Sequence, residues 1–313
     1  MLNNFIISLE AVAPMFIIMA LGIAARKKGF LNDEEIKKVN RLVFNVFFPA
    51  LMFTNLYGAQ ISDAFDVKLI VYSVVSIFVI FFAAMAFVVK IEPDNKSRGA
   101  MIQAIYRSNF VILGLPIVGN LYGGENLATT AMTITIVVPL YNILAVVVLE
   151  IFRGGKPDPK HILLGIAKNP LILGALAGAA TIPLHLQLPG FLESAVTSVS
   201  NAATPLALVV LGMSLNTGSM KTSRRNLIIC VVGRLLVVPA VGLTGAALIG
   251  IRDVAFVTLI AIFAAPAAVS SYTMAVQMDS DGELAGNTVV ISSALASVTL
   301  FGWIFFFKSL GMF

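Results

Sequence analysis

Hydrophobic positions along this chain gather into ten long runs, at 5–25, 36–57, 67–90, 98–122, 127–152, 161–183, 190–216, 224–250, 254–277 and 283–311. A bilayer core needs about 20 apolar residues per crossing helix, so each run predicts a membrane span. Polar residues punctuate them most strongly at 26–35, 90–98, 153–160 and 217–225, and most weakly at 251–253. Two runs are themselves interrupted. Span 4 contains Arg107-Ser108-Asn109 and then Gly114-Leu115-Pro116, and span 9 contains Pro266 followed by Ser270-Ser271.

Lipid offers no hydrogen bonds, so non-helical backbone at membrane depth survives only where it packs in protein or lines a cavity. Broken spans in matching positions of two halves point to a transporter's substrate site. Pro116 suits the first position of a second half-helix, where its missing N–H is no loss, and Gly114 allows a bend or a close ligand approach. Half-helix starts near Pro116 and Pro266 would turn free N–H groups and positive dipole ends toward an anion. The alternative is a plain proline kink healed by neighbouring helices.

Composition agrees with an all-α integral membrane protein: 313 residues, 58% hydrophobic and only 12% charged. One cysteine, Cys230, excludes an internal disulfide framework and carries no metal-ligand spacing. No cofactor motif appears, and His161 and His185 stand at opposite ends of span 6 with no nucleophile motif, so metal-centred or nucleophilic catalysis is not expected. Met1-Leu2-Asn3-Asn4 lacks a basic region and Glu10 interrupts the apolar stretch, so span 1 is expected to be retained rather than cleaved.

The formal charge of +5 does not indicate nucleic acid, because the basic residues sit in short loops between apolar runs. Fourteen of the 21 lysines and arginines follow spans 1, 3, 5 and 7, whereas Lys68, Arg252 and Lys308 lie on the other side. Cytoplasmic loops hold such an excess, so both termini are expected outside the cytoplasm of a cell-membrane protein. The acidic loop at 279–283 is the exception, and acids weigh little in this rule.

A shift of 156 residues places Pro14 on Pro170, Asn45 on Asn201 and Pro49 on Pro205. Spans 1–5 then fall on spans 6–10, and five being odd, the halves 1–155 and 156–313 must have inverted topology. Spans 4 and 9 correspond, and would cross near the midplane.

Asn109, Asn45, Asn201, Tyr141, Asn142, Ser270 and Ser271 are the polar groups placed at depth. Such groups often bond across helices, and Asn109 stands out because it adjoins the break. Asn45 and Asn201 precede Pro49 and Pro205 by one turn, which favours a structural role at those prolines. Arg107 either snorkels to the surface or offers an incoming anion its first contact. For Arg41, Lys168 and Arg234 snorkelling is the default. No Asp, Glu or His lies centrally in span 4 or 9, which disfavours an ion-coupling carboxylate pair at the crossing.

These motifs together resemble the auxin efflux carrier family, which includes plant auxin exporters and bacterial malate and malonate permeases. The resemblance rests on Leu21-Gly22-Ile23 through Phe30-Leu31, on Asn40 through Leu51, on Arg107-Ser108-Asn109 with Gly114-Leu115-Pro116, and on Asn169-Pro170 and Pro205 through Leu208 with Leu211-Gly212. It implies a sodium-proton-antiporter-like fold of ten helices, with scaffold and transport domains drawn from both repeats, and a homodimer. It implies that Asn109 contacts a substrate carboxylate and that Tyr141 belongs to the pocket. In span 9 the chain departs from relatives that carry Pro-Pro-Ala-Val-Asn, because its run is Pro266-Ala267-Ala268-Val269-Ser270, with serine in place of asparagine.

The expected function is secondary transport of a small organic anion by alternating access, with Asn109, Gly114, Pro116, Tyr141, Pro266, Ser270 and Ser271 about the substrate. The alternatives are a membrane-embedded ligand sensor and a proton-coupled carboxylate importer.

Overall fold

The computed structural model describes residues 2–57, 66–123, 127–153, 159–215 and 224–313. The described residues form fifteen α-helices: α1 (Leu2–Lys27), α2 (Asp33–Leu42), α3 (Phe48–Leu56), α4 (Val67–Ile91), α5 (Asn95–Tyr106), α6 (Phe110–Tyr122), α7 (Leu127–Ile151), α8 (Pro159–Lys168), α9 (Pro170–Thr181), α10 (Gly190–Ser214), α11 (Arg224–Val232), α12 (Val238–Leu248), α13 (Asp253–Ala264), α14 (Ser270–Gln277) and α15 (Gly282–Ser309). Single π-helical turns at Val43–Phe47 and Gly233–Val237 join α2 to α3 and α11 to α12. Each turn precedes a proline, Pro49 or Pro239, that cannot donate to the ladder, and the wider turn absorbs the mismatch without ending the helix.

Six continuous helices, 33–56, 67–91, 127–151, 190–214, 224–248 and 282–309, are long and apolar enough to cross a membrane. The pair α8–α9 bends by 56° at Asn169 and makes a seventh candidate, while α6 and α13 are shorter apolar helices. The chain is therefore a helical, multi-pass membrane protein.

Side-chain caps set several helix starts. Asn32 and Glu35 form a reciprocal capping box before α2, and Asp66, Asp94, Asn169 and Asp281 each accept a backbone N–H at the start of α4, α5, α9 and α15. Asp281 also accepts from Ser97, and Asp279 pairs with Lys96 at 2.7 Å. The acidic loop after α14 thus packs against the basic loop before α5. At that same end Arg225 and Asn226 bond Ile91 and Glu92. Elsewhere Lys68 reaches the Gly250 carbonyl, and Asp253 N–H donates to Met312.

Two seams are built on glycine. A Cβ on Gly22 would collide with the carbonyl of Val209, and one on Gly178 with the carbonyl of Phe53, so α1 lies backbone to backbone on α10 and α9 on α3. Gly212 against Met19 and Gly174 against Pro49 tighten the same seams.

Candidate functional site

The chain leaves helical geometry between α5 and α6 and again between α13 and α14, and these two gaps meet. Ser108 and Ala267 form an isolated antiparallel bridge, and Asn109 N–H donates to Pro266 O at 2.8 Å. The Ser292 hydroxyl accepts from Ala267 N–H at 3.1 Å. Each gap thereby satisfies backbone groups of the other.

The first break lies earlier than Pro116 implied, and the second half-helix of span 9 starts later than Pro266 implied. α6 starts at Phe110, whereas Pro116 sits inside that helix on its exposed side. Gly114 is likewise inside α6, where a Cβ would strike the Phe110 ring. In span 9 the second half-helix starts at Ser270, and Pro266 belongs to the extended gap. The physical reason is the pairing: residues 107–109 must extend to meet 266–267, and a proline within a helix only forfeits one hydrogen bond.

Beside the crossing is a cavity of about 80 Å³, with Arg107, Ser108 and Asn109 from the first gap, Ala268, Val269 and Ser270 from the second, and Val138, Tyr141 and Asn142 from α7. Phe48, Leu51, Met52 and Asn55 close one side, with Thr204 and Ala207 of α10. The space is above the ~10–15 Å³ that one water needs, so it can be hydrated. Of the sequence-expected residues, Arg107, Asn109, Tyr141 and Ser270 line it. Ser271 is buried with its carbonyl accepting from Gln103. Gly114, Pro116 and Pro266 do not line it. Asn45 and Asn201 lie on exposed positions, and the Asn45 amide donates to Arg41 O.

Arg107 does not snorkel. It is 2% exposed, and its guanidinium donates to Asn142 Oδ1 and Ser270 Oγ, both at 2.5 Å, and contacts Met274 Sδ at 3.0 Å. Its recorded partners are all neutral. Asn142 is fixed in turn by its own amide on Val138 O at 2.8 Å. Asn109 is 9% exposed, and its amide nitrogen faces only the Met15 thioether at 3.8 Å, a weak acceptor. Among the described residues the cavity wall contains no Asp, Glu or His.

Positive potential therefore converges from three sources, the Arg107 charge and the N-terminal dipole ends of α6 and α14, although at α14 the N–H groups of Ser271 and Tyr272 already donate to Ala268 O and Val269 O. A family model described as membrane transport protein matches residues 7–162 and 159–304. The chain belongs to this family. It is the auxin efflux carrier group that the motifs resemble. Among curated relatives, an uncharacterized transporter of Methanothermobacter thermautotrophicus is 24% identical over 301 residues, covering 96% of this chain and 98% of the relative. An uncharacterized transporter of Methanocaldococcus jannaschii is also 24% identical, over 95% and 99%. A Rhizobium meliloti protein named "putative malonate transporter" is 24% identical over 95% of each chain. This membrane transporter family is not a family of enzymes.

The Arg234 side chain overturns the snorkelling expectation. It is fully buried, with guanidinium donors directed at the carbonyls of Ile105, Tyr106, Ile262 and Phe263. Sequence reasoning missed it because an almost uniformly apolar helix gives no sign of which face points inward. Asn55 and Thr204 on the cavity wall were missed for the same reason.

Proposed function

We propose that this transporter carries a small organic anion, with a carboxylate held by Arg107, Asn109 and Ser270 at the N-terminal ends of α6 and α14. The observation that carries this reading is Arg107: a buried guanidinium on a cavity whose wall, among the described residues, has no acid. A buried charge is costly unless paired, and a carboxylate satisfies a guanidinium fork with two strong hydrogen bonds. The relative named for malonate is consistent with a substrate of that chemistry.

In this reading α5 with α6, and α13 with α14, each make one broken span, giving ten. The halves 1–155 and 156–313 are inverted copies. Support comes from the glycine seams, because Gly22 against Val209 and Gly178 against Phe53 are related by the same 156-residue shift as the sequence anchors. Helices α1–α3 and α8–α10 form a scaffold against which the crossing moves, exposing the cavity alternately to each side. With both termini outside, the basic loops face the cytoplasm. A membrane potential supplies ~2.3 kcal/mol per charge per 100 mV, sufficient to drive an anion outward without a coupling ion.

Tracer flux into proteoliposomes of the purified protein, across malonate, malate, other short carboxylates and indole acids, tests this. Saturable flux of at least one anion, inhibited by its congeners, is the expected result. Saturable binding of an anion with no flux identifies a sensor, and no response to any anion sinks the reading.

A further inference from the structure

A second buried cation is bonded to the helix ends that lead into the two gaps. Arg234 is 0% exposed. Its Nη1 donates to Ile105 O at 3.1 Å and Tyr106 O at 2.9 Å, and its Nη2 to Ile262 O at 3.4 Å and to Phe263 O. One nitrogen thus serves the end of α5 and the other the end of α13. The last carbonyls of a helix have no intrahelical donor, and each C-terminal end carries a partial charge of about −0.5. Two such ends meet at one guanidinium, so their summed charge matches it without any carboxylate.

We infer that Arg234 is a positioning residue for anion binding: by neutralising the joined C-terminal ends of α5 and α13, it leaves the N-terminal ends of α6 and α14 as the unopposed pole that meets the substrate. The inference rests on reading the cavity as an anion site. Without Arg234, two negative helix ends would stand three and five residues from the positive ones across each gap, and at that separation they would cancel much of the attraction. The local chain is shaped for this task. Arg234 falls in the π-helical turn Gly233–Val237, and a Cβ on Gly233 would come within 3.1 Å of Ile105, so glycine lets this helix approach the end of α5. Tyr141 of the cavity wall reaches the same end of α13, its hydroxyl donating to Ile262 O at 3.5 Å.

The charge and the fork are separable. Lysine keeps the charge but offers a single nitrogen to two helix ends, whereas methionine keeps the apolar stem alone. Wild type, Arg234→Lys, Arg234→Met and Arg107→Met are purified, checked by size-exclusion chromatography, and reconstituted for radiolabelled malonate uptake. Malonate-induced thermal stabilisation is measured in detergent. The expected result is a KM raised about tenfold or more in Arg234→Met with maximal rate changed far less, and a smaller rise in Arg234→Lys. A wild-type KM in Arg234→Met, or equal loss of maximal rate in both variants with KM unchanged, assigns Arg234 to packing and overturns the inference. Should Arg234→Met fail to fold, Arg234→Lys decides: retained malonate stabilisation supports the charge role, and a response no better than that of Arg107→Met refutes it. A wild type that neither moves malonate nor is stabilised by it instead removes the reading of the cavity, and this inference with it.

Discussion

Asn109 donates its main-chain N–H to the carbonyl of Pro266 at 2.8 Å, so the gap between α5 and α6 is hydrogen-bonded to the gap between α13 and α14. Neither gap is a local defect. Each is half of one small structure whose other half is encoded about 158 residues away.

Removing the Arg107 charge should abolish most anion uptake. A hydrogen bond to a charged group contributes ~1.5–3 kcal/mol, so Arg107→Met should weaken binding by about 10–150-fold. Uptake titrated against concentration in proteoliposomes reads this, and unchanged affinity in folded protein would remove Arg107 from the site.

Asn109→Ala should lose transport while folding and inserting normally. Its amide contacts only a thioether here, so truncation breaks no strong internal bond. Near wild-type flux in liposomes would exclude Asn109 from substrate binding.

Gly22→Ala and Gly178→Ala should each destabilise the fold. A methyl group has no room against the Val209 or Phe53 carbonyl, and overpacking of this kind costs ~1–3 kcal/mol. Thermal unfolding of the purified variants should show lowered midpoints of similar size for both. A shift in one alone would argue against equivalent seams.

Transport at fixed membrane potential should follow the substrate's own ionisation, with no added protein step between about pH 6 and 8. Among the described residues the cavity wall holds no carboxylate or imidazole to titrate in that window. Uptake measured across this range for two acids of different pKa should give curves displaced by that difference. A shared inflection for both would reveal a coupling group.

Much of this architecture is legible in sequence. Helix bounds such as Val67–Ile91, Leu127–Ile151 and Arg224–Leu248 fall close to the apolar runs, because lipid-exposed helices must be apolar along their whole length. The placing of the first break was not legible from Pro116. Proline marks where a helix is weakened, but the gap is located by what its backbone can pair with, and Ala267 and Pro266 are remote in sequence. Arg234 shows the other limit. Composition registers that a charge is present in a span, and only the packed helices reveal that it faces four carbonyls rather than the membrane surface.

The neutral partners of Arg107 also set a threshold for what can bind. Its donors already engage the Asn142 amide oxygen and the Ser270 hydroxyl at 2.5 Å, so a guest must offer more than those two acceptors before the guanidinium turns to it. A spherical halide presents a single point of contact and gains little from the exchange. A carboxylate presents two oxygens at the spacing of the fork and gains both bonds. On the proposed reading halides are thereby disfavoured by the protein's own side chains, a discrimination that requires no steric gate at the cavity mouth.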